Sequence, residues 1–288
     1  MGLHCVGRRA ALLGGLVSAI GAAAPRGTAI PIEVINGQCL VPVLLDGRPA
    51  RLVLDTGSEL TMVTRAAVAR LGLRPDPWVS TTLRGAGGLL ERHANVDIRT
   101  ALAGTVPLFQ RGPGSGLSLP VTSSDLGGAD GLLGGDVLQH YTLDLDMPAA
   151  RLALGAMHTP AHAVQLQPLR RVLLLAPVRL DGHSLVALVD TGASASLVNA
   201  RGLYRLGLAP ARLQQDPAAP LMALGGVSAA RLHRFAELCI GPLCLAAPIV
   251  LTETVPEAAY DLVLGLDVLG RQRLLLSYPG LTLEFAGR

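Results

Sequence analysis

The apolar positions of this 288-residue chain fall in short blocks broken by turn residues, and each half of the chain reads as mostly β. Asp46-Gly47 separates two apolar stretches, and Asp181-Gly182 repeats the arrangement. Asp-Gly between apolar runs predicts a tight hairpin. The second strand of each hairpin, Arg51-Leu52-Val53-Leu54 and Val186-Ala187-Leu188-Val189, is apolar on both faces, which predicts a central, buried strand. A short helix should follow in each half. Thr64 and Asn199 can cap its start, and Gly72 and Gly207 can end it in the left-handed conformation. The first 29 residues carry a different pattern. Arg8-Arg9 precedes an apolar run from Ala10 to Ala24, and small residues follow up to Ala29. A basic head, an apolar middle and a small-residue end predict a secretory signal over residues 1–29, cleaved after Ala29. As a helix the run would span about 22 Å, short for a bilayer, though an uncleaved anchor is the alternative reading. No later segment is apolar enough to span.

The chain is written twice. At a fixed offset of 135, residues 40–73 and 175–208 share fourteen of 34 positions. Asp55-Thr56-Gly57 recurs as Asp190-Thr191-Gly192, and Arg70-Leu71-Gly72-Leu73 recurs as Arg205-Leu206-Gly207-Leu208. A second match pairs residues 128–138 with 259–269. The unit is far longer than a solenoid period, so two copies imply two homologous lobes. Their junction is expected near residues 156–168, which hold Pro160 and Pro168. The organisation read from this is a signal at 1–29, an N-terminal lobe at 30–158 and a C-terminal lobe at 159–288.

Composition narrows the function classes. Hydrophobic residues make up 50% and charged residues 16%, which argues against long disordered tails. All 24 basic residues are Arg, and they are scattered, so no nucleic-acid footprint is read. The paired arginines leave twin-arginine and general export open. Cys5 would leave with the signal, so Cys39, Cys239 and Cys244 remain. Cys239 and Cys244 face each other if Gly241-Pro242 is a turn; a disulfide and two buried thiols are both open readings. Neither Cys-x-x-Cys nor His-Glu-x-x-His occurs, so neither a metal nor a cofactor is expected.

The chemistry gathers at the two triplets. A carboxylate at the end of a buried strand is costly unless something holds it. The following Gly lets the chain turn and brings backbone N–H groups close, and Thr offers a hydroxyl for locking two such loops together. An apolar strand, Asp-Thr-Gly, and a later Leu-Gly-x-Asp-x-Leu together resemble the retropepsin-like aspartic proteases. The resemblance covers nearly all of residues 30–286, with both units on one chain. It implies an acid-protease fold: mostly all-β, two homologous barrel-like lobes with short helices, related by a pseudo-two-fold axis. It implies Asp55 and Asp190 as the catalytic pair, supported by Thr56, Gly57, Ser58, Thr191, Gly192 and Ala193. An extended polypeptide would be the substrate, hydrolysed by a monomer without metal or covalent intermediate.

Two close carboxylates cannot both ionise easily, so the pair should share one proton; aspartic proteases are the standard case of this splitting. Ser58 is expected to hydrogen-bond the ionised carboxylate, which Ala193 cannot do, giving an acid-shifted optimum. Asp136 and Asp267 also recur and are read as N-caps of a short helix beneath the site. His93 and His233 are read as surface or loop residues. Gly85 and Gly87 in one half, and Gly225 and Gly226 in the other, predict flexible flaps over the substrate. The alternative to an endopeptidase is a catalytically silent periplasmic peptide-binding protein of the same fold. An envelope-assembly role has no low-complexity or coiled-coil signal behind it.

Overall fold

The structure is a computed structural model that describes residues 29–84, 90–109, 117–155, 163–223, 226–253 and 259–286. Residues 1–28 of the signal predicted over 1–29, and the junction at 158/159, lie outside the described residues. Twenty-six strands and five short helices make up the described chain.

Each lobe is built on a ten-stranded sheet, and the strand order of the two sheets is the same element for element. The Asp-Gly hairpins form as the sequence predicts. Gln38–Leu45 pairs with Arg48–Leu54, and Leu173–Leu180 pairs with His183–Val189. Asp46 and Asp181 adopt φ 47° and their glycines φ 77° and 79°, the left-handed pair such a turn requires. Each Asp side chain has a second use. Asp46 Oδ1 accepts from the N–H groups of Arg99 and Thr100 at 2.7 Å, and Asp181 Oδ1 accepts from Ala236 and Glu237. The turn is thereby tied to the next strand of the sheet.

The second hairpin strand is central, as its apolar character requires. Arg48–Leu54 runs parallel to Gly131–Leu133, and His183–Val189 runs parallel to Leu262–Leu264. Leu52, Val53, Leu54, Ala187 and Val189 are fully buried. The helices Arg65–Arg70 and Ala200–Arg205 are capped by Thr64 and Asn199, which accept from the N–H groups of Ala67 and Gly202. Gly72 and Gly207 close them at φ 58° and 67°.

A third, six-stranded sheet joins the lobes, with a hairpin from each half at its centre. Thr142–Asp146 pairs antiparallel with Arg273–Ser277, and Thr142 Oγ1 lies 3.0 Å from Ser277 Oγ. Leu143, Leu145, Leu274 and Leu276 belong to one buried cluster that also includes residues from both lobes. Hydrophobic burial therefore couples the halves as well as holding each one. Cys239 and Cys244 are directly opposed across the hairpin Glu237–Ile240/Leu243–Ala246 and are disulfide-bonded. Cys39 is a buried free thiol, and burial pushes its pKa up to about 12. Among the described residues no helix is long and apolar enough to cross a membrane.

Candidate active site

The two central strands end side by side, each at an acidic residue. Asp55 and Asp190 are brought together, close enough for their side chains to hydrogen-bond. The following glycines permit it. A Cβ on Gly57 would lie 2.3 Å from Asp190 Cγ, and one on Gly192 would lie 2.4 Å from Asp55 Cγ. Any larger residue would occupy the space of the opposite carboxyl. Backbone N–H groups then ring the pair. Gly57 N donates to Asp55 Oδ1 at 3.0 Å, while Gly192 N and Ala193 N donate to Asp190 Oδ1 at 2.8 and 3.1 Å.

The threonines interlock the loops. Thr56 N donates to Thr191 Oγ1 at 3.1 Å, and Thr191 N donates to Thr56 Oγ1 at 3.0 Å. Each hydroxyl in turn donates across the axis, Thr56 to the carbonyl of Val189 and Thr191 to that of Leu54. Both threonines are fully buried. All four bonds are satisfied between lobes, so separating the lobes would strand every one of them.

Burial raises the pKa of both carboxyls above the ordinary aspartate value. For Asp55 the charge of Asp190 adds to the rise, and the shift is large. For Asp190 the backbone donors of Gly192 and Ala193 oppose it. The pair titrates as a unit and shares one proton.

Beneath the pair each post-triplet loop is pinned by an acidic residue. Asp136 Oδ1 accepts from Thr61 N at 2.8 Å and Thr61 Oγ1 at 2.7 Å, and Asp267 Oδ1 accepts from Ser196 Oγ at 2.7 Å. Thr61 and Ser196 pass the link on by accepting from the N–H groups of Gly134 and Gly265. This corrects the N-cap expectation. The caps of the helices Gly135–Leu138 and Leu266–Leu269 are Gly134 and Gly265, and the acids sit inside the first turn. The reason is room. A Cβ at Gly134 would lie 2.4 Å from the Leu60 backbone and one at Gly265 would lie 2.6 Å from the Ala195 backbone, so no side chain fits the cap position.

Three further expectations need adjustment. The Ser58 hydroxyl donates to the carbonyl of Leu60 at 2.9 Å, and Asp55 is served by the Ser58 backbone instead. With its one proton committed, that hydroxyl does not donate to the carboxylate. His93 is not a surface residue but buried in the strand Leu90–Ile98, its Nδ1 3.0 Å from the Val121 carbonyl, because strand alternation turns it inward. His233 lies in the strand Gly226–Arg234, 2.7 Å from Asp216 and edge-on to Phe235.

The flap segments form antiparallel hairpins, Pro75–Arg84 with Leu90–Ile98 and Ala218–Ala223 with Gly226–Arg234. Gly226 opens the last of these strands. Gly85, Gly87 and Gly225 lie outside the described residues. Sequence reading missed Tyr278. It is buried with no hydrogen-bond partner for its hydroxyl, and its pKa is pushed up by burial and then by the charges of Asp55, Asp190 and Asp136. Glu237, Cys239 and Cys244 are close enough together to suggest a metal set, but both sulfurs are spent in the disulfide. A cavity of about 1070 Å³ on the N-terminal lobe, lined by Pro42, Leu44, Thr64, Arg65, Leu102 and Ser124, holds neither carboxyl of the pair.

Residues 41–137 match the family model described as "Aspartyl protease", and residues 176–271 match the one described as "gag-polyprotein putative aspartyl protease". The two matches occupy successive regions, one in each lobe. Each includes its Asp-Thr-Gly triplet and its pinning acid, Asp136 or Asp267. No curated protein matches the chain.

Proposed function

We propose that this chain, whose two halves belong to retropepsin-like aspartyl protease families, is an endopeptidase in which Asp55 and Asp190 together activate one water. The observation that carries the reading is the contact of the two carboxyls across the lobe interface, each facing the other's triplet glycine. With one proton between them, the carboxyl that holds it is the acid and the other the base; in the form protonated on Asp55, the base is Asp190. Asp190 takes a proton from the water, the water oxygen bonds to the peptide carbonyl carbon, and Asp55 gives its proton to the carbonyl oxygen. Collapse of the tetrahedral species returns the hydroxyl proton to Asp55, and Asp190 protonates the leaving amine. The carboxyl pair thus ends as it began. Pre-set geometry contributes here as positioned acid–base catalysis does generally.

The substrate is an extended polypeptide, and the working unit is one chain, because both half-sites are on it. The apolar run behind Arg8-Arg9 and the Cys239–Cys244 disulfide both favour export to an oxidising compartment, the periplasm or the medium. Incubation of the purified chain with an unfolded polypeptide tests the reading. The endopeptidase produces new amino termini, and Asp55→Asn produces none. A silent binding protein would retain the polypeptide equally well in both forms and cut it in neither.

A further inference from the structure

The two ends of the site are not alike. Each lobe opens with a hairpin whose tip lies against the post-triplet loop of the other lobe. In the N-terminal lobe, Glu33–Ile35 pairs with Gln38–Leu45 through Asn36-Gly37, at φ 52° and 75°. A Cβ on Gly37 would lie 3.0 Å from that of Ser194. In the C-terminal lobe, Gln167–Leu169 pairs with Leu173–Leu180 across a loop one residue longer, Arg170-Arg171-Val172, in which Arg170 and Arg171 adopt φ 47° and 75°. Arg170 Nη1 lies 3.2 Å from Glu59 Oε1. Glu59 and Ser194 are each the fourth residue beyond their aspartate, so the two tips are symmetry mates.

Asn and Gly adopt positive φ readily, and two successive arginines do not. A side chain with a Cβ resists φ above zero, and strain of this kind is retained where the side chains are needed. The charges differ as well. Arg170 and Arg171 less Glu59 leave one net positive charge at this end, whereas Asn36, Gly37 and Ser194 carry none. Arg171 is exposed, and among the described residues it has no hydrogen-bond or ion-pair partner. A guanidinium so placed presents a fork that matches a carboxylate.

We propose that the Arg170-Arg171 turn selects acidic side chains in the substrate, on one side of the scissile bond only. The proposal rests on the endopeptidase reading.

The test uses peptide pairs that differ by Glu or Gln at one flanking position, scanned over both sides. Cleavage by the wild-type chain is measured as kcat/KM, and binding is measured separately on Asp55→Asn. The expected result is a preference for Glu of about three- to tenfold on one side and none on the other. Arg171→Glu should turn that preference toward Lys. Arg171→Gly should abolish it while raising the melting temperature by about 1–4 °C, because the turn is relieved. Equal handling of Glu and Gln, a preference on both sides, or a preference that survives Arg171→Glu would overturn the proposal. If a folded wild-type chain cuts no peptide, the endopeptidase reading fails. The binding measurement then still decides the role of the arginines, because a one-sided Glu preference supports it and its absence ends it.

Discussion

Thr191→Val isolates the interlock between the lobes. The substitution keeps the branched shape of the side chain and removes only the hydroxyl. Thr191 Oγ1 accepts from Thr56 N at 3.1 Å and donates to the Leu54 carbonyl at 2.7 Å, at a position with no solvent exposure. Valine therefore strands one buried donor and takes one partner from a buried acceptor. Each such loss costs about 1–3 kcal/mol, so the variant should lose about 2–6 kcal/mol. That is a large share of the roughly 5–15 kcal/mol typical of a folded protein. Thr191→Ser is the control. It keeps both bonds and gives up one methyl group, a loss of about 1 kcal/mol. Urea unfolding should be followed by far-UV circular dichroism, because Trp78, the single tryptophan, is 90% exposed and reports little. Activity should fall with stability in the valine variant alone, since the same loop carries Asp190. A valine variant as stable as the serine variant would refute the reasoning, showing that the hydroxyl bonds do not hold the lobes.

Three other outcomes follow from individual groups. Asp55 keeps its proton above the ordinary value of 3.8, so the folded chain binds more protons than the unfolded chain from pH 3.8 up to the raised value. Stability falls as pH rises through that window, and melting curves of Asp55→Asn against wild type should diverge in the variant's favour as pH increases. Tyr278→Phe removes a buried hydroxyl that has no partner, and denaturant titration should show an unchanged or higher stability, by up to about 2 kcal/mol. Replacing Cys239 and Cys244 by Ser opens a loop of sequence separation 5 and should lower stability by about 2 kcal/mol in the same titration while leaving peptide hydrolysis unchanged.

Much of this architecture is legible in the residues because it is local. Asp46-Gly47 and Asp181-Gly182 specify their turns by backbone preference alone, and Thr64 and Asn199 cap helices whose glycines close them. The repeat extends that local reading to a whole lobe and brings Asp55 and Asp190 forward as a pair. What the sequence does not display is set by contacts between distant segments. The central sheet pairs Thr142–Asp146 with Arg273–Ser277, a register that neither strand specifies by itself. Asp136 was misplaced by the assumption that an acid before a helix caps it; its partner, Thr61, is 75 positions away. Thr61 and Ser196 do stand at the repeat offset of 135, so the aligned halves held a signal for them. The same tertiary dependence explains Asp261, fully buried between Arg201, Arg205 and the N–H of Val186; it too repeats, as the counterpart of Asp130 in the second match, but its partners lie in distant segments.

Hydrolysis of a mixed peptide panel by the purified chain from pH 3 to 8, with Asp190→Asn and pepstatin as controls, tests the shared-proton pair most directly. The account predicts a rate that rises and then falls with pH, as the pair passes through its singly ionised form, and that vanishes in the variant and under the inhibitor. A folded wild-type chain that cuts nothing across that range, or an Asp190→Asn chain that cuts as fast as wild type, would contradict it.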